Sequence, residues 1–262
     1  MAGGPVRFED GATYEEVMGV WSRLAGDEFL DWLSPPSGLK WIDIGCGNGA
    51  FTELLIERCG PVEVHGVDPS DGQLAYARTR PAARVATFQN GDAMALPFAE
   101  AAFDAAVMAL VIVFVSDPAK GMAEMVRVVR PGGLIATYVW DMIDGGFPLD
   151  PILEEMRAMG IAHPRPPQAG KSRMEALEDL WRQAGLEAIE TREISVQRTF
   201  PAFDDFWNIN SKASTVGAAI SAMAAQDALA LKERVRRRLS AANGGGVTYG
   251  ARANAIKGRK PK

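Results

Sequence analysis

The residues best equipped for chemistry stand in one run, Asp43-Ile44-Gly45-Cys46-Gly47-Asn48-Gly49, with Asp68 beyond the helical stretch that follows. Alternate glycines permit positive φ and let the backbone approach a ligand at a helix N-terminus. Asp68 closes the apolar run Val64-His65-Gly66-Val67, and a carboxylate at that edge of a βαβ unit can accept both hydroxyls of a ribose. Loop and carboxylate together point to a nucleoside ligand. The dinucleotide fingerprint is G-x-G-x-x-G, whereas here the third glycine comes one residue early and Asp43 stands two residues before the first. A carboxylate directed into the loop repels a pyrophosphate in a partly desolvated site and suits a cation.

Other candidate chemistry is sparse. Two cysteines and two histidines leave little for a disulfide scaffold, a multi-Cys zinc site, an iron–sulfur cluster or a His-centred triad, and no metal site is expected. Cys46 reads as a small buried thiol, since no His or Lys neighbours it to lower its pKa. His65 lies in a strand pattern and reads as a core or edge residue; His163, in a proline-rich stretch, is a weak substrate-site candidate. The 28 basic and 33 acidic side chains give a net charge of −5, so no broad positive field invites nucleic acid or an anionic bilayer. In Lys232–Leu239, the spacing of Leu231, Val235 and Leu239 predicts an amphipathic helix rather than a nucleic-acid patch. The basic tail Lys257–Lys262 reads as a solvated end. MAGGPVRFED lacks signal-peptide features, and the longest apolar run, Ala105–Val115, falls short of the ~20 residues that span a bilayer, so a cytoplasmic setting is expected.

These residues need a scaffold, and 262 residues at 47% hydrophobic and 23% charged are enough for one globular unit with a sizeable core. From Leu39 to Val139, β-rich runs alternate with helical patterns, the signature of a doubly wound, mostly parallel α/β sheet. Expected strands are Lys40–Ile44, Val62–Val67, Arg84–Gln89, Phe103–Phe114 and Leu134–Val139, with Glu187–Arg198 and Val247–Lys257 as a late pair. Ser70 with Gln73 and Ser172 with Glu175 read as capping boxes, Asp117-Pro118 as a helix start, and Pro131-Gly132-Gly133 and Gly185 as stops. The domain plan is a single unit over 1–262: an N-terminal helical lid (1–36), a ligand-binding core (37–140), an insertion (141–171) and a lid insertion between the last two strands (200–246).

The glycine run resembles the first motif, D-x-G-x-G-x-G, of the class I S-adenosylmethionine-dependent methyltransferases, in particular their small type 11 branch. Asn90-Gly91-Asp92-Ala93 with Leu96-Pro97-Phe98, Phe103-Asp104, and Arg127-Val128-Val129-Arg130-Pro131-Gly132-Gly133 resemble later motifs of that family, in order, from about Tyr14 to Trp140. The resemblance implies a seven-stranded Rossmann-like sheet with a terminal antiparallel pair, and S-adenosylmethionine as cofactor, leaving S-adenosylhomocysteine as product. It assigns Asp43 to the amino-acid end of the cofactor, Asp68 with Pro69 to the ribose, Gly91, Asp92 and Ala93 to the adenine, and Met108, Ala109 and Leu110 to the strand end that faces the methyl group. Gly45, Cys46, Gly47, Gly49 and Gln73 line the same site, with Trp21 and either Ser22 or Arg23 added from the N-terminal helix. The family often has a polar residue or His after the fourth strand; Val111-Ile112-Val113-Phe114 removes that base here.

Alignment of nucleophile, methyl and sulfur can by itself supply roughly 7–11 kcal/mol, so an acid–base residue is optional. If a base is used, Asp141 after the fifth strand is the candidate, with a loop-capping role as its alternative. Trp140, Phe147, Phe203 and Trp207 are expected to line a partly apolar pocket for a small-molecule acceptor. The protein would act as a monomer or homodimer. The competing readings are a nicotinamide-dependent oxidoreductase and a non-catalytic cofactor-binding protein.

Overall fold

The architecture follows the alternation of β-rich and amphipathic segments. A computed structural model describes residues 15–163, 165–240 and 246–262. Tyr14, most of the glycine-rich run after Ser240, and the first part of the expected N-terminal lid lie outside the described residues.

A π-helical turn, Glu15–Gly19, leads into α1 (Val20–Leu33). Then follow β1 (Lys40–Ile44), α2 (Ala50–Cys59), β2 (Glu63–Asp68), α3 (Asp71–Ala77), β3 (Ala86–Asn90), β4 (Phe103–Ala109), α4 (Pro118–Val128) and β5 (Val129–Trp140). The second half holds α5 (Asp150–Ala158), α6 (Met174–Gln183), β6 (Glu187–Phe200), the lid helices α7 (Phe203–Asn210), α8 (Ser214–Ser221) and α9 (Ala225–Ser240), and β7 (Val247–Arg259). The seven strands run in the order β3-β2-β1-β4-β5-β7-β6, with β7 antiparallel to both neighbours. The order reverses between β1 and β4, and the crevice at such a switch point is where wound sheets bind ligands.

Each face of the sheet has its own apolar layer, because side chains alternate along a strand. Trp41, Ala105, Val107, Tyr138 and Trp140 face α1 and α2; Ile42, Ile44, Ala106, Met108 and Ile135 face α4 and α6. Asp43 falls in the Trp41 row, under α2. The overhang of the last hairpin bears on function: β7 pairs with β5 only as far as Ala253↔Trp140 but with β6 on to Val247↔Phe200. Residues 196–200 and 247–251 therefore project past the carboxyl end of β5.

Several local expectations need correction. β4 ends at Ala109, not Phe114, because Leu110 takes φ +64° and residues 112–114 close a 3-10 turn. Pro131-Gly132-Gly133 does not stop the helix, which ends at Val128; it forms a bulge within β5, where Gly132 N donates to Lys260 O (2.8 Å). β3 starts two residues late, after a 3-10 turn at Pro81–Arg84. Ser172 does not cap α6: its hydroxyl accepts from Met142 N (3.1 Å), and tertiary bonding overrides the local signal. The basic tail is partly structural, since β7 runs to Arg259 and Lys257 Nζ reaches Glu190 (3.2 Å) and the Trp32 ring (4.6 Å from its centroid).

Candidate functional site

β1 delivers Asp43 to the crevice edge, and the chain turns into α2 through Gly45, Gly47 and Gly49, at φ +76°, +51° and +78°. The loop is held from below: Gly45 N and Cys46 N both donate to Val67 O, at 2.7 and 3.1 Å. A Cβ on Gly45 would lie 2.5 Å from both methyl carbons of Val111, so dihedral and space both exclude a side chain there.

Asp43 is fully buried. One oxygen accepts from Thr52 Oγ1 at 2.6 Å; the other, Oδ1, has no hydrogen-bond partner among the described residues. Burial raises its pKa to about 7 against the opposing Thr52 hydrogen bond, and Asp68 pushes in the same direction. A buried carboxylate with an open oxygen beside three left-handed glycines fits a ligand carrying a positive charge and fits a pyrophosphate poorly. On this observation the residues present fit S-adenosylmethionine.

Asp68 ties β2 to the loop. Its Oδ2 accepts from Gly47 N (2.9 Å) and its Oδ1 from Ser70 N (2.8 Å), while burial raises its pKa. Each oxygen has a second lone pair for a ribose hydroxyl. Ser70 caps α3 by accepting from Gln73 N (3.3 Å), and the buried Gln73 side chain lies over Gly47. Pro69 O accepts from Asn90 (3.1 Å), which brings the β3 end alongside. Gly91 is packed against Val67; Asp92 is exposed and accepts from Met94 N (2.8 Å), with partly buried Ala93 between them. At the β4 end, Ala109 belongs to the α1–α2 layer, whereas the Met108 side chain lies in the opposite layer and offers this edge only its backbone. Leu110, in its left-handed conformation, donates its N–H to Tyr138 O (2.8 Å).

Arg80 is an unforeseen part of the site. Its guanidinium reaches Asn48 O (2.7 Å), Glu53 (3.0 Å) and Glu15 (2.5 Å), and Glu15 in turn accepts from the Asn48 amide (3.0 Å). One side chain thus joins the glycine loop, α2 and the turn that begins the N-terminal helix. Trp21 is fully buried against Tyr249, with ring centroids 5.0 Å apart; Ser22 is partly buried. Arg23 instead pairs with Glu57 at the surface (2.9 Å).

Asp141 sits just past β5 with both oxygens engaged: Oδ1 accepts from Ile143 N and Asp144 N (3.2 and 3.0 Å), Oδ2 from Arg252 (2.6 Å). Burial opposes ionisation, but the backbone donors and the Arg252 guanidinium outweigh it and hold the pKa below the usual carboxylate range. Cys46 is buried beside Gly66 with its thiol pushed well up by burial, and His65 is paired with Glu63 (2.5 Å) between Phe98 and Phe103. Among the described residues no group of three or more His, Cys, Asp or Glu is placed to hold a metal ion, and no helix is long and apolar enough to cross a membrane.

On the acceptor side, Trp140 is buried with no hydrogen-bond partner for its indole N–H among the described residues, and Phe147 is partly buried in the loop after β5. Phe203 and Trp207 turn toward α9, under Arg236 (4.6 Å) and Lys232 (5.9 Å). The rings that converge on the sheet overhang are Phe200, Phe206, Tyr249 and Trp21, at 5.0–6.1 Å between centroids. Cations of α9 pair within the molecule, Arg234 with Glu155 of α5 and Lys232 with Asp204 of α7 (2.8 and 2.7 Å). Thr52 and Arg80 belong to the site, and no spacing along the chain announces either of them.

With this geometry in place, comparison with known proteins is informative. Residues 42–137 match the family described as Methyltransferase domain. An O-methyltransferase of Penicillium expansum is 31% identical over 203 residues, covering 74% of this chain and 69% of that one. A ubiquinone/menaquinone biosynthesis C-methyltransferase of Roseobacter denitrificans is 35% identical over 123 residues, 45% of this chain and 49% of that one. Against several curated relatives the chain spans about half their length or less. Among solved structures, a phosphoethanolamine N-methyltransferase of Haemonchus contortus in complex with S-adenosyl-L-methionine shares the fold, with TM-score 0.58 and 20% identity over 95% of this chain and 56% of that one.

Proposed function

Because the chain belongs to the S-adenosylmethionine-dependent methyltransferases, we propose that it transfers a methyl group from S-adenosylmethionine to an oxygen, nitrogen, carbon or sulfur atom of a small organic acceptor. The observation that carries the reading is the open, buried oxygen of Asp43 beside the left-handed glycine loop. When bound, the cofactor supplies a methyl carbon on a sulfonium, with a neutral thioether as leaving group. Asp43 holds its cationic amino-acid end, Asp68 takes the ribose hydroxyls, and Gln73, Gly91, Asp92 and Ala93 frame the adenine. The lid helices and the N-terminal helix exclude water and orient the acceptor, which is the main requirement of an in-line displacement. Asp141 acts as a clamp on the loop after β5: its lone pairs are occupied and its pKa is held down, both poor attributes in a base. The named substrates of the relatives, quinones among them, support a small acceptor. The net charge of −5 and the internal pairing of α9 cations support an acceptor other than nucleic acid or an anionic bilayer.

Thermal unfolding with S-adenosylhomocysteine, S-adenosylmethionine and nicotinamide dinucleotides tests the reading, since a ligand at 100 times its Kd adds about 2.7 kcal/mol of stability. Stabilisation by both sulfur ligands is expected. Stabilisation by a dinucleotide alone would overturn it in favour of an oxidoreductase. Turnover with labelled methyl donor separates an enzyme from a non-catalytic binder.

A further inference from the structure

Over Ile194–Phe200, Arg198 is the one charged side chain in the inward row of β6; Glu190 and Arg192, earlier in the same row, are exposed. The alternation places Ile194, Val196, Arg198 and Phe200 on the face that packs against the N-terminal helix, and the three neighbours of Arg198 are buried. Partly buried guanidinium groups elsewhere are ion-paired: Arg80 with Glu15 and Glu53, Arg127 with Glu124, Arg234 with Glu155. Arg198 has no carboxylate partner among the described residues. Its hydrogen bond, to Val17 O, is long at 3.4 Å, and its guanidinium lies 4.4 Å from the Phe200 ring centroid. Burial lowers its pKa, opposed only in part by the neighbouring Tyr249. A guanidinium kept half-desolvated without a counter-ion is costly unless a ligand supplies the charge.

Its position says which ligand. Arg198 pairs with Tyr249 in the overhang, beyond the end of β5 and therefore above the carboxyl edge where the cofactor site opens. Phe200 lies against its guanidinium, and Tyr249, Phe206 and Trp21 extend the same ring cluster. The Tyr249 hydroxyl is committed to Pro148 O (2.9 Å), and burial pushes its pKa up, so it stays neutral and adds no negative charge. A planar fork of donors beside aromatic faces matches an oxyanion attached to an aryl or similarly flat apolar body.

We propose that Arg198 is a specificity-determining residue that binds an oxyanion, a carboxylate or phosphate, on an aromatic methyl acceptor. This inference rests on the methyltransferase reading, and its test separates the two. Protein saturated with S-adenosylhomocysteine is titrated calorimetrically with phenylacetate, phenyl phosphate and phenylacetamide. At least one anion binds about tenfold or more tightly than the amide, a difference of about 1.4 kcal/mol, and the order of the two anions tells carboxylate from phosphate. Arg198→Met and Arg198→Gln abolish the preference while leaving S-adenosylhomocysteine affinity within about threefold; Arg198→Lys, lacking the fork, restores only part of it. Equal binding of anions and amide, no binding of either anion while S-adenosylhomocysteine still binds, or a preference that survives both neutral variants would overturn the oxyanion site. The wild-type arm decides even if a variant fails to fold. Failure of S-adenosylhomocysteine itself to bind would instead sink the underlying reading.

Discussion

Thr52 donates its hydroxyl hydrogen to the Asp43 carboxylate at 2.6 Å, across the buried turn from β1 to α2, and no other described residue hydrogen-bonds that carboxylate's side chain. Burial, against that hydrogen bond, raises the pKa of this acid from 3.8 to about 7. Between these values the folded state holds a proton that the unfolded state has lost, so stability falls as pH rises through the window. At about 1.4 kcal/mol per unit, the loss from this group is on the order of 4 kcal/mol and is complete above pH ~7. Urea unfolding from acid to neutral pH should show that slope in the wild type and not in Asp43→Asn; a slope retained in the variant refutes the assignment. Binding of S-adenosylhomocysteine, whose ammonium favours the carboxylate, should release a proton slightly below neutrality, read by calorimetry in buffers of different ionisation enthalpy.

Replacing Asp68 by Ala removes the acceptor for Gly47 N and Ser70 N together. The stabilisation produced by S-adenosylhomocysteine should largely vanish, while the unliganded protein loses about 1–3 kcal/mol from the donors left unpaired. An undiminished thermal shift would move the ribose site elsewhere.

Gly45→Ala combines a left-handed φ with a 2.5 Å approach to Val111. Adding Val111→Ala relieves the contact but not the dihedral. We expect the single variant to lose more than about 2 kcal/mol and the pair to recover only part of it. Full recovery by the pair would show that space, and not backbone conformation, sets the requirement.

Arg80→Met should free the first turn of the N-terminal helix from the glycine loop. Hydrogen exchange over residues 15–24 should accelerate and S-adenosylhomocysteine should dissociate faster, with a stability loss of about 1–3 kcal/mol for the acceptors left behind. Arg80→Lys should rescue little, because one ammonium cannot serve acceptors on Asn48, Glu53 and Glu15 at once. Unchanged exchange in Arg80→Met would refute the coupling.

Asp141→Asn separates a clamp from a base. A clamp predicts that Arg252→Met and Asp141→Asn both destabilise the protein, by about 1–3 kcal/mol, and that methyl transfer to any acceptor found by turnover with labelled donor keeps its pH dependence in Asp141→Asn. A rate loss of about a thousandfold with a flattened pH profile would restore the base.

What the sequence determined by itself was everything carried by neighbours along the chain. The Gly45, Gly47, Gly49 spacing after Asp43, the carboxylate at the end of β2, and the alternation of strand and helix patterns announced a wound sheet with a cation-tolerant nucleoside site, because backbone dihedrals and side-chain periodicity are local properties. The seven-strand count and the terminal antiparallel pair followed from the family resemblance those motifs carry, whereas the strand order is read from the fold. What only the tertiary structure decided was how distant polar groups meet. Asp141 reads as a candidate base or a loop cap until Arg252 arrives from β7; Ser172 reads as a cap until Met142 claims it; Arg80 is an unremarked cation until Glu15 and Asn48 fold against it. Arg198 depends on the same long-range physics in reverse: whether a charge is paired, and what its desolvation costs, is set by which segments pack around it, and no spacing along the chain encodes that.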